Sequence, residues 1–249
     1  MSVTVVHLIR AANSVAHLRR FLVAYRKMRS GMAHELVLAC KGFTPDSIHA
    51  IGPFCRGLTA RILILPDTGF DLGTYRRVCF EISTPYICFV NSFSRPLTPH
   101  WLPLLYGVAR RPEVGLSGAT GSLQVDPHVR TNSFCIQREL YLDIVTSDPH
   151  TKEAACAIEA GPASLTRQVM RRGLSPRIVC RNGTDAALLD ARDTRTFWWG
   201  QQENLLVSDN RTDDYDLADP ARRAFLQRAA WHTTDPSSFR AARRSRVSK

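Results

Sequence analysis

The sequence predicts an α/β fold in which a mainly parallel sheet is flanked by helices. Short apolar segments alternate along the chain with helical patterns of about ten to fifteen residues, which is typical of βαβ units. The chain has 249 residues, of which 44% are hydrophobic, so it is long enough to bury one large core. No internal repeat or low-complexity linker interrupts the alternation in the first half of the chain.

The individual elements follow from local patterns. Apolar, β-branched runs predict strands, and apolar residues at helical spacing predict helices. The predicted strands are 3–9, 34–39, 61–65, 85–90 and 114–117, and the predicted helices are 17–28, 44–54, 72–82, 99–109 and 218–230. Thr44 followed by Pro45 marks the start of the second helix. The run 62–65 has the composition of a strand that is covered on both faces.

The loop after the third predicted strand concentrates polar and flexible residues. Asp67, Gly69, Asp71, Gly73 and Tyr75 lie where parallel sheets usually bind ligands, beyond the carboxyl end of a strand. The two carboxylates could hydrogen-bond ribose hydroxyls or a base edge, and the glycines permit positive φ or close backbone approach. A glycine-rich turn with an aspartate cap on the next helix explains the same residues, so both interpretations stay open.

The chain is strongly basic, with a formal net charge of +11 and a pI of about 9.8. This charge indicates an anionic partner, and nucleic acid, a sugar nucleotide or anionic lipid would all qualify. The sequence has no zinc-finger, RNP-type or helix-turn-helix pattern, which favours a partner other than nucleic acid. The basic segment 237–249 contains no acidic residue. It predicts either a solvated, disordered tail or peripheral association with an anionic membrane surface.

The cysteines and the apolar runs bear on the compartment. The seven cysteines form no C-x-x-C pair, which predicts reduced thiols without a structural zinc. No apolar run approaches the ~20 residues that span a bilayer. The chain enters a strand-like run at once, without a signal-peptide pattern. The expectation is a soluble cytoplasmic protein, at the inner face of the membrane if the tail binds lipid.

A succession of short motifs resembles family 2 glycosyltransferases of the GT-A fold. In chain order these are Asp71-Leu72-Gly73-Thr74-Tyr75, Tyr86-Ile87-Cys88-Phe89-Val90-Asn91-Ser92, Pro99-His100-Trp101-Leu102, Val114-Gly115, Arg130-Thr131-Asn132-Ser133-Phe134 and Ile158-Glu159. Their order carries the resemblance, which covers about residues 1–180. The run Gly69-Phe70-Asp71 is similar to the bacterial rhamnan-synthesis branch.

The resemblance implies a GT-A-like, Rossmann-type core at 1–180. The composition of the remainder predicts a C-terminal extension at 181–236 that completes the site, followed by the basic tail at 237–249. It implies transfer of a hexose from a nucleotide sugar to a glycan or lipid-linked acceptor in polysaccharide biosynthesis. By the same match Asn91 and Ser92 lie at the donor. Glu159 is then the general base of an inverting reaction.

Two positions depart from the family pattern. Asn91-Ser92-Phe93-Ser94 stands where an Asp-x-Asp metal motif is expected, and Mg²⁺ and Mn²⁺ are recruited mainly by carboxylates. The sequence therefore predicts weak or absent metal dependence, although the diphosphate itself could chelate a divalent ion. Lys41 replaces an acidic turn and either faces phosphate or is a surface lysine. The candidates to stabilise the leaving diphosphate are Arg10, Lys41, Arg76 and Arg95.

Glu159 also stands out in the sequence itself. An apolar run precedes it, and a Gly-Pro turn and a helix follow, so its carboxylate is expected at a turn, with a raised pKa that suits a base. Alternatively, Glu159 stabilises the N-terminus of the next helix. On that helix Arg167 either orients the acceptor or is solvated.

The last third of the chain is less regular and rich in aromatic residues. Trp198 and Trp199 lie beside amides and charges, a composition typical of carbohydrate-binding surfaces. Side chains of an extended segment alternate faces, so one of the two rings is predicted to meet the acceptor or another structural layer. The run Asp209-Asn210-Arg211 either closes over the diphosphate or caps the next helix.

Two other functional classes stay open. A GT-A-like protein that binds a sugar nucleotide without turnover would explain the missing metal carboxylates. A basic α/β protein that binds nucleic acid would explain the charge, and its affinity should fall steeply with salt concentration.

Overall fold

The computed structural model describes residues 1–232. Within these residues the strands are β1 (Val3–Arg10), β2 (Glu35–Lys41), β3 (Arg61–Leu65), β4 (Tyr86–Val90), β5 (Arg95–Pro96), β6 (Val114–Gly118), β7 (Gly121–Ser122), β8 (His128–Val129), β9 (Ser133–Gln137), β10 (Ser175–Val179), β11 (Asp185–Ala187) and β12 (Val207–Ser208). The α-helices are α1 (Val15–Lys27), α2 (Gly52–Cys55), α3 (Phe70–Glu81), α4 (Trp101–Ala109), α5 (Arg138–Ile144), α6 (Lys152–Ala160), α7 (Leu165–Arg171), α8 (Asn210–Leu217) and α9 (Pro220–Trp231).

An eight-stranded sheet confirms the predicted α/β fold. Its strands lie in the order β11-β10-β6-β9-β4-β1-β2-β3. The pairs β1–β2, β1–β4, β2–β3 and β6–β10 are parallel. Strand β9 is antiparallel to both of its neighbours, β4 and β6, and β11 is antiparallel to β10. The sheet is therefore mostly parallel, with one reversed strand at its centre.

Two hydrophobic cores cover the two faces of this sheet. Strand β1 contributes to both, because Val6 and Leu8 enter one core while Val5 and Ile9 enter the other. Alternating side chains of a strand point to opposite faces, so a central strand between two layers of helices must be apolar throughout. The continuous apolar sequence of β1 meets this requirement.

Strand β3 corrects one expectation. It pairs with β2 and ends the sheet, so it is an edge strand and not a strand covered on both faces. Ile62 and Ile64 are accordingly 42% and 45% exposed. Its composition suited a covered strand, but sheet order depends on long-range pairing that a local apolar run does not specify.

The predicted helix at 44–54 is broken into two short pieces. Residues Ser47–Ile51 form a 3₁₀ turn, and α2 follows with Pro53 in its first turn. Proline has no amide hydrogen to continue the hydrogen-bond ladder of a preceding helix, so the break falls there. The predicted capping residue still acts locally, since Thr44 Oγ1 accepts a hydrogen bond from the Ser47 amide at 3.1 Å.

The part of the chain after residue 180 is joined to the core by strand pairing. Strand β11 pairs with β10, and β12 pairs with β5. Asp209 caps α8 by accepting a hydrogen bond from the Thr212 amide at 2.9 Å, which agrees with the capping alternative. The domain division at residue 180 remains a proposal, and the basic tail at 237–249 lies outside the described residues.

All seven cysteines are free. Over residues 1–232 no helix is both long and apolar enough to cross a bilayer.

His7 makes the core sensitive to acid. It is fully buried in β1 and stacks on Phe21 with 3.6 Å between ring centroids. Neither ring nitrogen makes a hydrogen bond of good geometry within the described residues. Burial lowers the pKa of His7 from 6.5 to about 3, with the Val90 backbone opposing the shift. At a pH between about 3 and 6.5, the unfolded chain therefore binds a proton at His7 that the folded protein does not bind.

We expect stability to fall as the pH drops from 6.5 towards 3, the interval between the unfolded and folded pKa values of His7. The loss is about 1.4 kcal/mol per pH unit for one such group. Urea denaturation at neutral and at mildly acidic pH measures it. A His7→Phe variant lacks the titration and should lose less stability over the same interval; an equal loss in both proteins would contradict this role.

Candidate functional site

The carboxyl ends of four parallel strands meet at one edge of the sheet. Arg10 and Lys41 end β1 and β2, Asp67 follows β3, and Asn91 follows β4. The reversed strand β9 begins at the same edge, where the amide of Asn91 donates a hydrogen bond to the Asn132 carbonyl at 2.9 Å. Ligands of open α/β sheets bind at this edge. The structure thus brings together residues that the sequence distributes over ~80 positions.

Arg10, Lys41 and Asp67 form one charged cluster. Nε and Nη2 of Arg10 each donate a hydrogen bond to a different oxygen of Asp67, both at 2.9 Å. Nζ of Lys41 lies 3.7 Å from Oδ1 of the same carboxylate. The hydrogen bond from Arg10 is the main cause that lowers the pKa of Asp67. The Asp67 carboxylate thus lies between two cations, and the charge of Asp71 also acts on both of them.

Lys41 is a buried cation and not a surface lysine. Its side chain is 4% exposed. Burial lowers the pKa of Lys41, while Asp71 and Asp67 oppose that shift. Its Nζ lies 6.0 Å from the ring centroid of Phe70, which is 39% exposed and has a φ of +51°. A left-handed backbone is strained for a bulky residue, and such strain is concentrated at functional sites.

Asp71 joins this cluster to Glu159. Burial is the largest cause that raises the pKa of Asp71, Lys41 opposes the shift, and the charge of Glu159 adds to it. The three groups therefore share one electrostatic environment. Asp71 lies in the first turn of α3, and the helix has no side-chain cap, so the alternative of an aspartate cap does not describe it.

An Asp71→Asn variant should be more stable than the parent at neutral pH. The raised pKa means that folded Asp71 holds its proton above the unfolded value of 3.8, so stability falls as the pH rises through that interval. Asparagine keeps the size of the side chain and removes this cost. Denaturation curves at acidic and neutral pH check the sign, and a variant that is less stable at neutral pH would contradict it.

Gly69 and Gly73 show the two features predicted for these glycines, a positive φ at one and a close approach of another segment at the other. Gly69 precedes α3 with a φ of +76°. A Cβ on Gly73 would lie 3.1 Å from Cγ of Asp148, so the loop before α6 packs directly on the start of α3. Arg77 pairs with Asp148, and Arg76 lies 3.9 Å from it. Asp148 was not predicted, and it fixes the segment that carries Asp71.

The segment after β4 does not fit a divalent cation. Oδ1 of Asn91 already accepts hydrogen bonds from the Phe93 amide at 3.1 Å and from Ser94 Oγ at 2.8 Å. Ser92 is 6% exposed. Among residues 1–232, no three His, Cys, Asp or Glu side chains are grouped so that they could hold a metal ion. A hard cation needs oxygen ligands that are free to turn towards it.

Glu159 lies in the last turn of α6, which corrects the expectation that it sits at a turn before a helix. Its Oε1 accepts two hydrogen bonds from Thr131, from the amide at 3.3 Å and from Oγ1 at 2.8 Å. No protein group among the described residues donates to Oε2. It does not cap the next helix either, because Ser164 caps α7. Hydrogen bonds to Oε1 therefore orient the side chain of Glu159, and Oε2 is available to accept a proton or a hydrogen bond from a ligand.

Thr131 is a site residue for which the sequence suggested no role. It lies two residues before β9, and its neighbour Asn132, the residue directly before the strand, contacts the end of β4. His128, three positions earlier, is also buried nearby, and burial lowers its pKa while Glu159 opposes the shift. The only sequence signal for Thr131 was the polar run before an apolar strand. That run indicates a site residue only because β9 starts at the ligand edge.

Tyr75 and Trp198 lie in the core and not at a surface. Tyr75 is fully buried and stacks on Phe89 at 4.3 Å, and burial raises the pKa of its hydroxyl. Trp198 is 5% exposed, stacks on Phe197 and donates from Nε1 to the Arg211 carbonyl at 2.9 Å. Burial leaves neither ring a face for a ligand.

The remaining predicted residues have protein partners. Trp199 is partly buried beneath Arg192, whose guanidinium lies 5.1 Å from its ring. Arg167 donates two hydrogen bonds of 2.6 Å to Asp126. Arg95 is bound to Asp213 by two hydrogen bonds of 2.9 and 2.8 Å. Of the cations predicted to stabilise the diphosphate, Arg10 and Lys41 are the two that end parallel strands at the ligand edge.

Comparison with known proteins extends the description of the fold. No family model and no curated sequence matches this chain. Among solved structures it is similar to the mannosyltransferase PcManGT from Pyrobaculum calidifontis in complex with GDP-Man and Mn²⁺. That similarity has a TM-score of 0.56 and 12% identity, and covers 98% of this chain and 73% of the other.

Two further structures match with lower scores. CMP:2-keto-3-deoxy-manno-octonic acid synthetase complexed with CTP has a TM-score of 0.48 and 12% identity, covering 72% of this chain and 89% of that one. HddC from Yersinia pseudotuberculosis has a TM-score of 0.41 and 11% identity, with coverages of 56% and 79%. Identities this low show the fold alone, and the similarity to the mannosyltransferase agrees with a GT-A-like, Rossmann-type architecture.

Proposed function

We propose that this protein is a glycosyltransferase that uses a nucleotide-sugar donor. The observation that carries the proposal is the geometry of the charged cluster, in which Arg10, Lys41 and Asp67 contact one another at the carboxyl edge of the sheet. This edge is where α/β sheets bind nucleotides. The fold shared with a mannosyltransferase that was solved with GDP-Man supports the choice of donor class.

The donor would lie against the cluster of Arg10, Lys41 and Asp67 and the strand end at Asn91 and Ser92. Asp71 would accept hydrogen bonds from donor hydroxyls or a base edge, and Gly69 lets the backbone turn sharply beside it. Arg10 and Lys41 would balance the charge of the diphosphate. Because the protein groups after β4 do not fit a metal ion, we assign no step to one.

The proposed reaction inverts the anomeric carbon. The acceptor hydroxyl gives its proton to Oε2 of Glu159 and its oxygen forms a bond to that carbon. The bond to the donor phosphate breaks, and its electron pair leaves with the nucleoside diphosphate, stabilised by Arg10 and Lys41. Thr131 holds the other oxygen of Glu159 and so fixes the direction of the base.

Several finer assignments belong to the same proposal. They are membership of family 2 near the rhamnan-synthesis branch, a hexose as the transferred sugar, and a glycan or lipid-linked acceptor of bacterial polysaccharide synthesis in the cytoplasm. For the acceptor side, Trp199 and Arg167 remain the candidates, since both are partly exposed.

A thermal-shift screen of nucleoside diphosphates and nucleotide sugars, with and without Mn²⁺, tests the proposal. A ligand at ~100 times its Kd stabilises by about 2.7 kcal/mol, which gives a clear rise in Tm. Asp71→Ala should abolish that rise, whereas Asp193→Ala, which changes an aspartate that is 72% exposed in the C-terminal part, should keep it. An undiminished shift in Asp71→Ala would remove the loop from the site.

An inactive GT-A-like protein is the second candidate, and the neutral segment Asn91-Ser92-Phe93-Ser94 favours it. Such a protein would show the same thermal shifts. It would release no nucleoside diphosphate when incubated with the nucleotide sugar that stabilises it most. Turnover above the rate of the donor alone would exclude this candidate.

A further inference from the structure

A basic cleft lies away from the ligand edge, between α1 and the segment around α2. It has a volume of about 310 Å³ and is lined by Arg19, Leu22, Val23, Arg26, Pro53, Phe54 and Arg56. This volume is at the lower end of the range of ligand sites. Three of its seven lining residues are arginines and none is acidic. The cleft therefore favours an anion.

The three arginines differ in how they are held. Nη2 of Arg26 donates to the carbonyls of Phe54 and Arg56, at 2.8 and 3.1 Å, and so joins α1 to the opposite wall. The side chains of Arg19 and Arg56 are exposed and have no hydrogen bond or ion pair to any residue of the described chain. Two guanidinium groups are thus available to an external anion beside a third that is already oriented.

The outer face of α1, next to the cleft, is also positively charged. Arg19, Val23 and Arg26 are spaced so that they share one face of the helix, and Val23 is 57% exposed. The helix carries two further cations, Arg20 and Lys27, and no acidic residue. Arg20 is partly neutralised by Asp213, at 2.7 Å. An exposed apolar residue between cations is typical of helices that lie on anionic membrane surfaces.

We propose that this cleft binds the phosphate headgroup of an anionic membrane lipid and docks the protein on a lipid surface. The guanidinium groups match a phosphate in charge and in hydrogen-bond geometry. The apolar residues Val23, Pro53 and Phe54 would meet the less polar region beneath the headgroup. Phe54 is the one aromatic residue among those that line the cleft, and it is only partly exposed. Proteins that bind single-stranded nucleic acid stack successive bases on several aromatic rings, so the lining favours lipid over nucleic acid. The proposal does not depend on the proposed transferase activity.

Vesicle sedimentation of the full chain tests it. The vesicles contain phosphatidylcholine alone or with phosphatidylglycerol, and only the second kind should bind the protein. Each cation near an anionic surface strengthens binding about fivefold, so Arg19→Gln/Arg56→Gln should weaken it about 10- to 30-fold. The control Arg181→Gln/Arg228→Gln removes the same charge from exposed arginines outside the cleft and should bind almost as the parent does.

The possible outcomes separate the alternatives. Equal losses in both double variants would mean that net charge alone drives binding, and would overturn the proposal. So would a parent protein that ignores anionic vesicles, or a cleft variant that loses affinity only for a single-stranded oligonucleotide. Inorganic phosphate that competes with vesicles in the parent, but has no effect on the residual binding of the cleft variant, would support a headgroup site. Nucleotide thermal shifts should be unchanged in the cleft variant, so failure here is distinct from failure of the proposed function.

Discussion

A Glu159→Gln variant is expected to transfer sugar about 10²- to 10⁴-fold more slowly than the parent, the range that general-base catalysis supplies. Glutamine keeps the size of the side chain and can still accept the two hydrogen bonds from Thr131. It cannot take the proton of the acceptor hydroxyl. The loss should therefore appear in kcat, while the donor-induced thermal shift stays near that of the parent. Steady-state kinetics with the donor and acceptor found by screening would measure it.

Two variants sharpen this test. Glu153→Gln changes an exposed glutamate in the first turn of the same helix, α6, and should transfer at the parent rate. Thr131→Val keeps the base but removes the hydroxyl that holds it at 2.8 Å, so it should lower kcat by less than Glu159→Gln does. If Glu159→Gln retains the parent rate, or if it fails to fold, the carboxylate has a structural role and the mechanism lacks its base.

An Asp209→Ala variant is expected to lose about 3–5 kcal/mol of stability, because it leaves a buried charge without its partner. Nη2 of Arg130 donates to Asp209 at 2.7 Å, and the two side chains are 13% and 1% exposed. Arg130 also lies over the Phe197 ring at 4.1 Å. Alanine would remove the cap of α8 as well. Urea denaturation of parent and variant would give the difference.

The matched control for Asp209→Ala is a variant of a solvent-exposed ion pair. Asp193 lies 3.2 Å from Arg192, but the two side chains are 72% and 51% exposed. Asp193→Ala should therefore change stability by only ~0–1 kcal/mol. Asp209→Asn, which can still cap the helix, should lie between the two alanine variants. A cost for Asp209→Ala no larger than that for Asp193→Ala would show that the buried pair does not hold the C-terminal part in place.

The order of elements could be predicted from the sequence because it depends on local patterns. Periods of two and of 3.6 residues distinguish strand from helix within a few turns of chain. The same reasoning placed Asp67 and Asn91 at strand ends, and parallel pairing then brought those ends to one edge. Lys41 shows the limit of this reasoning: its position after a strand was predicted, but only the packing of Phe70 and Asp71 around it shows that it is buried.

The other differences have one physical cause, which is that sheet order and side-chain burial depend on distant segments. Strand β3 became an edge because no later strand pairs beside it. Trp198 is buried and has a φ of +43°, so its backbone is not extended and the alternation assumed for an extended segment does not hold there. Glu159 lies at the end of a helix because the apolar run before it is helical and not extended.

The reversed strand β9 has a consequence for how the molecule responds to change. Three consecutive residues just before it contact three different regions: Arg130 binds Asp209, Thr131 binds Glu159, and Asn132 accepts the amide hydrogen of Asn91. The residues that contact the C-terminal part, the candidate base and the ligand edge are thus joined by only two peptide bonds. A displacement of this tripeptide would disturb the C-terminal part, Glu159 and the ligand edge together. The proposed donor and acceptor sites therefore cannot move independently of each other.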